Sequence, residues 1–181
     1  VNQTINLNGF VSNIEINPDE YLLPLQEVIV NSIQSIEDKG DKSKSSIGIN
    51  IIRTSEPVLS KEEFAEPYRA IIGFEVTDNG VGFNEKRFKA FNEIYTDINK
   101  AKGCKGVGRY SVLACFDNMD IDSTYYEDNV WKKRTFKFSA KEGVVIVHDP
   151  AESIVEQKEF STKVRLNNCL LYTSDAADDK A

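Results

Sequence analysis

The sequence predicts an α+β domain with helices layered on one face of a mixed, mostly antiparallel sheet, and three observations point to it. A long segment near the N-terminus carries apolar residues at helical spacing, the second half of the chain alternates with the period of strands, and the two kinds of element mix without regular βαβ order. At 181 residues, 40% hydrophobic and 28% charged, the chain has the size and balance of one domain with a real core.

Residues 3–11 read as a short strand. INPDEYLLPLQEVIVNSIQSIEDKG then gives a long helix with Leu22, Leu25, Ile29, Ile33 and Ile36 on its apolar face. Pro18 and Asp19 supply start signals and Gly40 the stop, while Pro24 marks a break near which the main helix begins. After the polar loop DKGDKSKS, Ser46 to Arg53 alternates as a strand, and Arg69 to Thr77 is a second, more buried one. A short helical segment from Asn84 passes into the polar NEIYTDINKAKG, a connection long enough to suggest function. A helix follows from about Val107 to Phe116. The remainder reads as antiparallel strands: Met119 to Tyr126, a turn at Asp128-Asn129, Trp131 to Ser139, a turn at Glu142-Gly143, Val144 to His148, and Thr162 to Leu166.

Composition excludes several classes. No apolar run approaches the ~20 residues of a membrane span, and the N-terminus lacks a basic-then-apolar leader, so a cytoplasmic protein without a membrane partner is expected. A formal net charge of −7 argues against a nucleic-acid-coating surface. The local basic stretch around Lys132 to Lys141 reads as a solvated strand face. Cys104 and Cys115 show no C-x-x-C spacing and His148 stands alone, so no zinc site is supported; Cys115 reads as a core residue.

The C-terminal CLLYTSDAADD, Cys169 to Asp179, resembles the translation of a common transposon-based sequencing adapter. Residues 169–181 are therefore set aside as a processing scar, with an acidic tail as the alternative, and the domain is read as 1–168. Losing Asp175, Asp178, Asp179 and Lys180 moves the net charge from −7 to −5. The natural protein is expected to continue beyond Asn168.

Three segments carry candidate chemistry. On the long helix Glu27, Asn31 and Gln34 form a polar line at i, i+4 and i+7, which is either a solvated face or a ligand-facing one. TDNGVGFN, Thr77 to Asn84, places an aspartate at the end of a buried strand before two glycines. An Asn-Gly hairpin turn explains Asn79-Gly80 but not a strand that leads into a helix; an acceptor for a ligand N–H, with the chain turning sharply beside it, explains both. GCKGVGRYSVLACF, Gly103 to Phe116, opens a helix with three glycines and a lysine in six residues, an anion site in the making. It is neither a Walker A loop, since Gly106 follows Lys105, nor a dinucleotide fingerprint, since Ser111 stands where the third glycine belongs.

Taken together in order, type and spacing, these segments resemble the GHKL ATPase superfamily of DNA gyrase B subunits, large ATP-dependent heat-shock chaperones, histidine kinases and MutL-type repair proteins. Glu27-x-x-x-Asn31 resembles the N box, Asp78-x-Gly80-x-Gly82 the adenine-binding box, and Gly103-x-Lys105-Gly106-x-Gly108 the phosphate box, with GCKGVGRYS closest in wording to the chaperones. Ser161 to Leu166 resembles the G-T-x-V-x-L strand with serine in place of glycine. The resemblance covers about residues 20–168.

It implies a Bergerat fold, a two-layer α/β sandwich holding ATP between the long helix and the sheet. Asp78 would accept from the adenine amino group, Thr162 would support it through water, and Phe83 would pack near the base. Asn31 would ligate Mg²⁺, and Glu27, one turn earlier, would act as general base toward water. The amides of Gly106, Val107 and Gly108 would hold the phosphates, with Lys105 adding charge. Two departures stand out: Gln34 where many relatives have aspartate, and Arg109 where the chaperones carry an aromatic. The expected function is ATP binding and slow Mg²⁺-dependent hydrolysis by the N-terminal module of a longer chaperone-like or MutL-like protein. In it, nucleotide closes an Ile94–Lys102 lid and drives homodimer formation. A histidine-kinase-type phosphotransfer domain and a non-hydrolysing nucleotide sensor are the alternatives.

Overall fold

The computed structural model describes residues 9, 11, 13–14, 22–41, 43–57, 67–92, 108–148 and 158–170, with the backbone alone at 108 and 109. In chain order the elements are α1 (Leu23–Lys39), β1 (Ile47–Arg53), β2 (Ile71–Asp78), α2 (Glu85–Asn92), α3 (Gly108–Cys115), β3 (Phe116–Glu127), β4 (Val130–Ser139), β5 (Gly143–His148) and β6 (Ser161–Cys169).

Helix α1 starts where Pro24 permits it, because proline in the first turn forfeits no internal hydrogen bond. It ends at Gly40, whose φ of 81° suits a residue without a Cβ and whose N–H returns to Glu37 O. Its buried face differs from the expected stripe. Leu22 and Ile33 are 55% and 44% exposed, whereas Val28, Ser32 and Ser35 turn inward with Pro24 and Ile36. Of the strand expected over 3–11, the described Gly9 and Val11 are helical.

The six strands form one sheet in the order β1-β2-β6-β3-β4-β5, and all five pairings are antiparallel, so the sheet is not mixed among the described residues. The β3–β4 hairpin closes through Asp128-Asn129 with φ of 53° and 63°, the left-handed pair that a two-residue hairpin turn requires. β6, last in the chain, lies between β2 and β3. It runs to Cys169, one residue into the segment set aside: Cys169 is buried opposite Phe116, and Leu170 N–H donates to Cys115 O.

Period-two alternation sorts the strands into two faces. The covered face presents Phe74 and Val76 from β2, Val164 and Leu166 from β6, Met119 and Ile121 from β3, and Phe136 and Phe138 from β4. Val28 of α1, Phe88 of α2 and Val112 and Leu113 of α3 share this one core. Edge-to-face contacts join Phe83, Phe88 and Phe91 to Phe136 with centroids 5.0 to 5.3 Å apart, geometry favoured by the aromatic quadrupole. The opposite face is a lattice of paired charges, Lys163 with Glu75, Lys133 with Asp122 and Lys137 with Asp120. These half-exposed pairs keep the face solvated and add little stability. The expected solvated basic strand holds for Lys133 and Lys137 but not for Arg134, which points into the core side and is buried. Cys115 is a core residue as expected, its thiol pushed up to about 11 mainly by burial and therefore unreactive.

Candidate functional site

The site is built where β2 ends. Asp78 lies on the covered face because Phe74, Val76 and Asp78 share one side of the strand, and it is 6% exposed. A buried carboxylate needs donors, and two come from different elements. Ser32 Oγ of α1 donates to Asp78 Oδ2 at 2.9 Å, and Gly80 N–H donates to Oδ1 at 2.9 Å. Burial pushes the Asp78 carboxyl above the usual carboxylate range, opposed by these two hydrogen bonds and by the charge of Arg87.

Past Asp78 the chain crosses against α1, which only glycine permits. A Cβ on Gly80 would collide with Ser35 Oγ and come within 2.7 Å of Ile36 N. Val81 N–H donates to Ser35 O at 3.1 Å, and Gly82 N–H to Ser35 Oγ at 3.4 Å. Gly82 has a φ of 71°, and a Cβ there would lie 2.7 Å from Ser123 Oγ. Both glycines thus have a packing reason that requires no ligand: they press the turn between helix and sheet. Asn79 anchors this corner, accepting from Ser46 N–H and donating to Lys44 O, while Lys39 reaches Asn79 O. The Asn-Gly pair does not make a hairpin; the strand leads on into α2.

Phe83 is held at both of its peptide groups. Its N–H donates to Ser123 Oγ at 3.0 Å, and its carbonyl accepts from Arg134 at 2.7 Å. Arg134 also pairs with Glu85 at 2.6 Å and lies 4.2 Å over the Phe88 ring, so its buried charge is compensated by a carboxylate, a carbonyl and a π face. The Phe83 ring itself packs into the core against Phe91 and Phe136. Ser123 Oγ also lies 3.0 Å from Thr162 Oγ1, and Thr162 is the register partner of Asp78.

Of the residues expected to act together, Asp78, Gly80, Gly82, Phe83 and Thr162 converge on this corner. Glu27 and Asn31 are exposed on α1, one turn apart, while Gln34 is buried on the same helix. Among the described residues no three His, Cys, Asp or Glu side chains cluster as a metal site. Gly103, Lys105, Gly106 and Val107, the lid expected over 94–102 and Cys104 lie outside the described residues; Gly108 is the first residue of α3. Sequence reasoning missed Ser32, Ser35, Ser123 and Arg134. A signal existed for the last two, since Ser123 alternates in phase with Met119 and Ile121, and Arg134 with Phe136 and Phe138.

No known family profile and no curated protein matches the chain in sequence. In structure 191 solved chains match. Among them is the ATPase region of Saccharomyces cerevisiae topoisomerase II, at a TM-score of 0.54 and 18% identity, covering 89% of this chain and 41% of that one. The fold is therefore that of a known ATPase region, the α+β sandwich expected from the GHKL resemblance. This chain spans less than half the length of that neighbour, about 41%. No helix among the described residues is long and apolar enough to cross a membrane.

Proposed function

We propose that this chain is a GHKL-type ATP-binding module that hydrolyses ATP slowly with Mg²⁺, within a longer protein of the chaperone-like or MutL-like kind. The observation that carries the reading is the corner at Asp78. A desolvated carboxylate is retained between α1 and the sheet, beside Thr162, in a fold shared with an ATPase region. A buried acid is costly, and a ligand N–H that meets it recovers part of that cost. Each Asp78 oxygen carries one hydrogen bond and keeps capacity for another. This fits the exocyclic amino group of adenine.

The rest of the nucleotide would extend along α1 toward Asn31 and Glu27. Exposed on α1, Asn31 suits Mg²⁺ held chiefly by phosphate oxygens and water, because magnesium typically takes one or two protein ligands and completes its octahedron that way. Bound Mg²⁺ would neutralise phosphate charge; Glu27 would orient and deprotonate the attacking water. The loop from Gly103 to Gly108 would wrap the phosphates, and closure of residues 94–102 would promote pairing of two copies. Calorimetry of the chain with Mg·ATP and Mg·ADP tests the reading directly. Binding of both is expected, and Asp78→Ala should abolish it. No heat of binding from the unmutated chain, or unchanged affinity in the variant, would sink it.

A further inference from the structure

Asn79 takes no part in the nucleotide reading, yet four polar groups around the Asn79–Gly80 peptide bond are engaged. The Asn79 Oδ1 accepts from Ser46 N–H at 2.9 Å, and its Nδ2 donates to Lys44 O at 2.7 Å. Its carbonyl accepts from Lys39 Nζ at 2.9 Å, and the Gly80 N–H donates to Asp78 Oδ1 at 2.9 Å. The partners come from the end of α1, the loop before β1 and β2 itself.

An asparagine followed by glycine has a reaction of its own. The glycine nitrogen, with no Cβ on its residue to crowd it, attacks the side-chain amide carbon of the asparagine. A new N–Cγ bond closes a cyclic succinimide while the Cγ–Nδ2 bond breaks, and ammonia leaves with the hydrogen of the glycine N–H. Water then opens the ring at either carbonyl. The product is aspartate, or isoaspartate with the backbone rerouted through the side chain.

In this fold the attack is opposed at both reacting atoms. Asn79 Cγ must turn its face to the Gly80 nitrogen, a rotation that breaks the bonds of both Oδ1 and Nδ2. The nitrogen must leave Asp78 and carry Gly80 with it, although Gly80 is pressed so close to α1 that a Cβ would lie 2.3 Å from Ser35 Oγ. Neither product fits the corner as asparagine does. Ionised aspartate has no hydrogen for Lys44 O and sets a carboxylate against that carbonyl. Isoaspartate lengthens the backbone by a carbon, next to a glycine that has no room for a methyl group.

We infer that Asn79 is a spontaneous deamidation site that the fold holds closed, opened when α1 and the loop before β1 release the 79–80 turn, and that its conversion weakens the corner. A site that reacts only when open reacts in proportion to its open fraction, so the folded chain is slow and the unfolded chain fast.

The test is incubation of the whole chain at mildly alkaline pH, folded in buffer and unfolded in concentrated urea, read by peptide mass spectrometry and an isoaspartate assay. Asn8-Gly9 is the same dipeptide and calibrates the unconstrained rate in urea. There the two sites should react alike, and Asn79 in the folded chain should react more than about tenfold more slowly. Equal Asn79 rates folded and unfolded, or an Asn79 that stays intact in urea while Asn8 reacts, overturn the inference. Asp78→Ala frees the Gly80 nitrogen, so in a folded variant Asn79 should react faster than in the folded parent. A slower or unchanged rate means that the carboxylate does not restrain the nitrogen, and overturns the account of closure; if this variant does not fold, the comparison within the unmutated chain decides. Asn79→Asp builds one product directly and should melt below the parent, whereas an equal or higher melting temperature overturns the claim that conversion weakens the corner.

Discussion

Ser32 Oγ on α1 donates to Asp78 Oδ2 at the end of β2, 46 residues away in sequence, and this one bond ties the helix layer to the sheet at the candidate site. Its acceptor is charged and buried, so its loss is not made good by water. Ser32→Ala should destabilise the folded chain by about 1.5–3 kcal/mol, the range for hydrogen bonds to charged groups. Urea denaturation of the two proteins measures the difference. A change within ±0.5 kcal/mol, ordinary for a surface site, would mean the helix is held without it.

Asp78 also makes stability depend on pH. Burial raises its folded-state pKa above the unfolded value, so below the ordinary aspartate range both states are protonated and burial of the charge costs nothing. As pH rises from that range through the higher folded value, the unfolded chain ionises first and stability is lost. Asp78→Asn keeps an acceptor for Gly80 N–H and offers Ser32 Oγ a donor without the charge. Relative to the parent, the variant should gain stability with rising pH across that interval and hold the gain above it. Melting curves at a series of pH values read this out, and a constant difference would contradict it.

Gly80 is constrained from the helix side. Since a Cβ would collide with Ser35 and approach Ile36 N, Gly80→Ala must push α1 off the turn. The expected cost is about 1–3 kcal/mol or more, as for other overpacked sites, together with weaker nucleotide binding through displacement of Asp78. Gly40→Ala makes the contrast, because nothing lies within 4 Å of the added methyl and its cost comes from the positive φ alone. Nucleotide affinity should survive the second substitution and not the first.

The two exposed residues of α1 should separate binding from turnover. In the longer protein proposed above, Glu27→Ala should leave ATP affinity near normal and slow hydrolysis by roughly 10²–10⁴-fold, the usual contribution of a positioned general base. Asn31→Ala should instead weaken magnesium-dependent binding itself. Steady-state phosphate release and binding isotherms on both variants check the distinction. Undiminished hydrolysis in Glu27→Ala, with label from the γ-phosphate appearing on a histidine, would favour the phosphotransfer alternative.

How much of this was legible beforehand depended on how local each determinant is. Pro24, Gly40 and the Asp128-Asn129 turn act through their own backbone geometry, and the structure has them where the sequence reading expected. Asp78 and Thr162 stand out only through the motifs that contain them. The inward turn of Ser32 and Ser35 was not legible, because periodicity assigns polar residues outward, whereas here Asp78 and the 80–82 turn need polar groups from α1 and draw those serines in. Leu22 and Ile33 end up exposed for the same reason: the helix face is chosen by what stands opposite it. Arg134 was hidden in a run of lysines, and its phase with Phe136 and Phe138 was the available clue. The place of β6 between β2 and β3 had no signal in β6 itself, since an alternating strand does not name its partners.

That placement bears on how the protein comes into being. β1 and β2 emerge early from the ribosome and β3 to β5 later, yet among the described strands they are joined by β6, the last of the six in sequence. Until residues 161–169 are synthesised, β2 and β3 both present open edges, and such long-range closure is the slow, aggregation-exposed step of folding. The polar row from Asp78 to Ser123 lacks its middle member until the same moment. A nascent chain arrested before Ser161 should therefore be blind to nucleotide, and competence to bind would mark completion of the sheet.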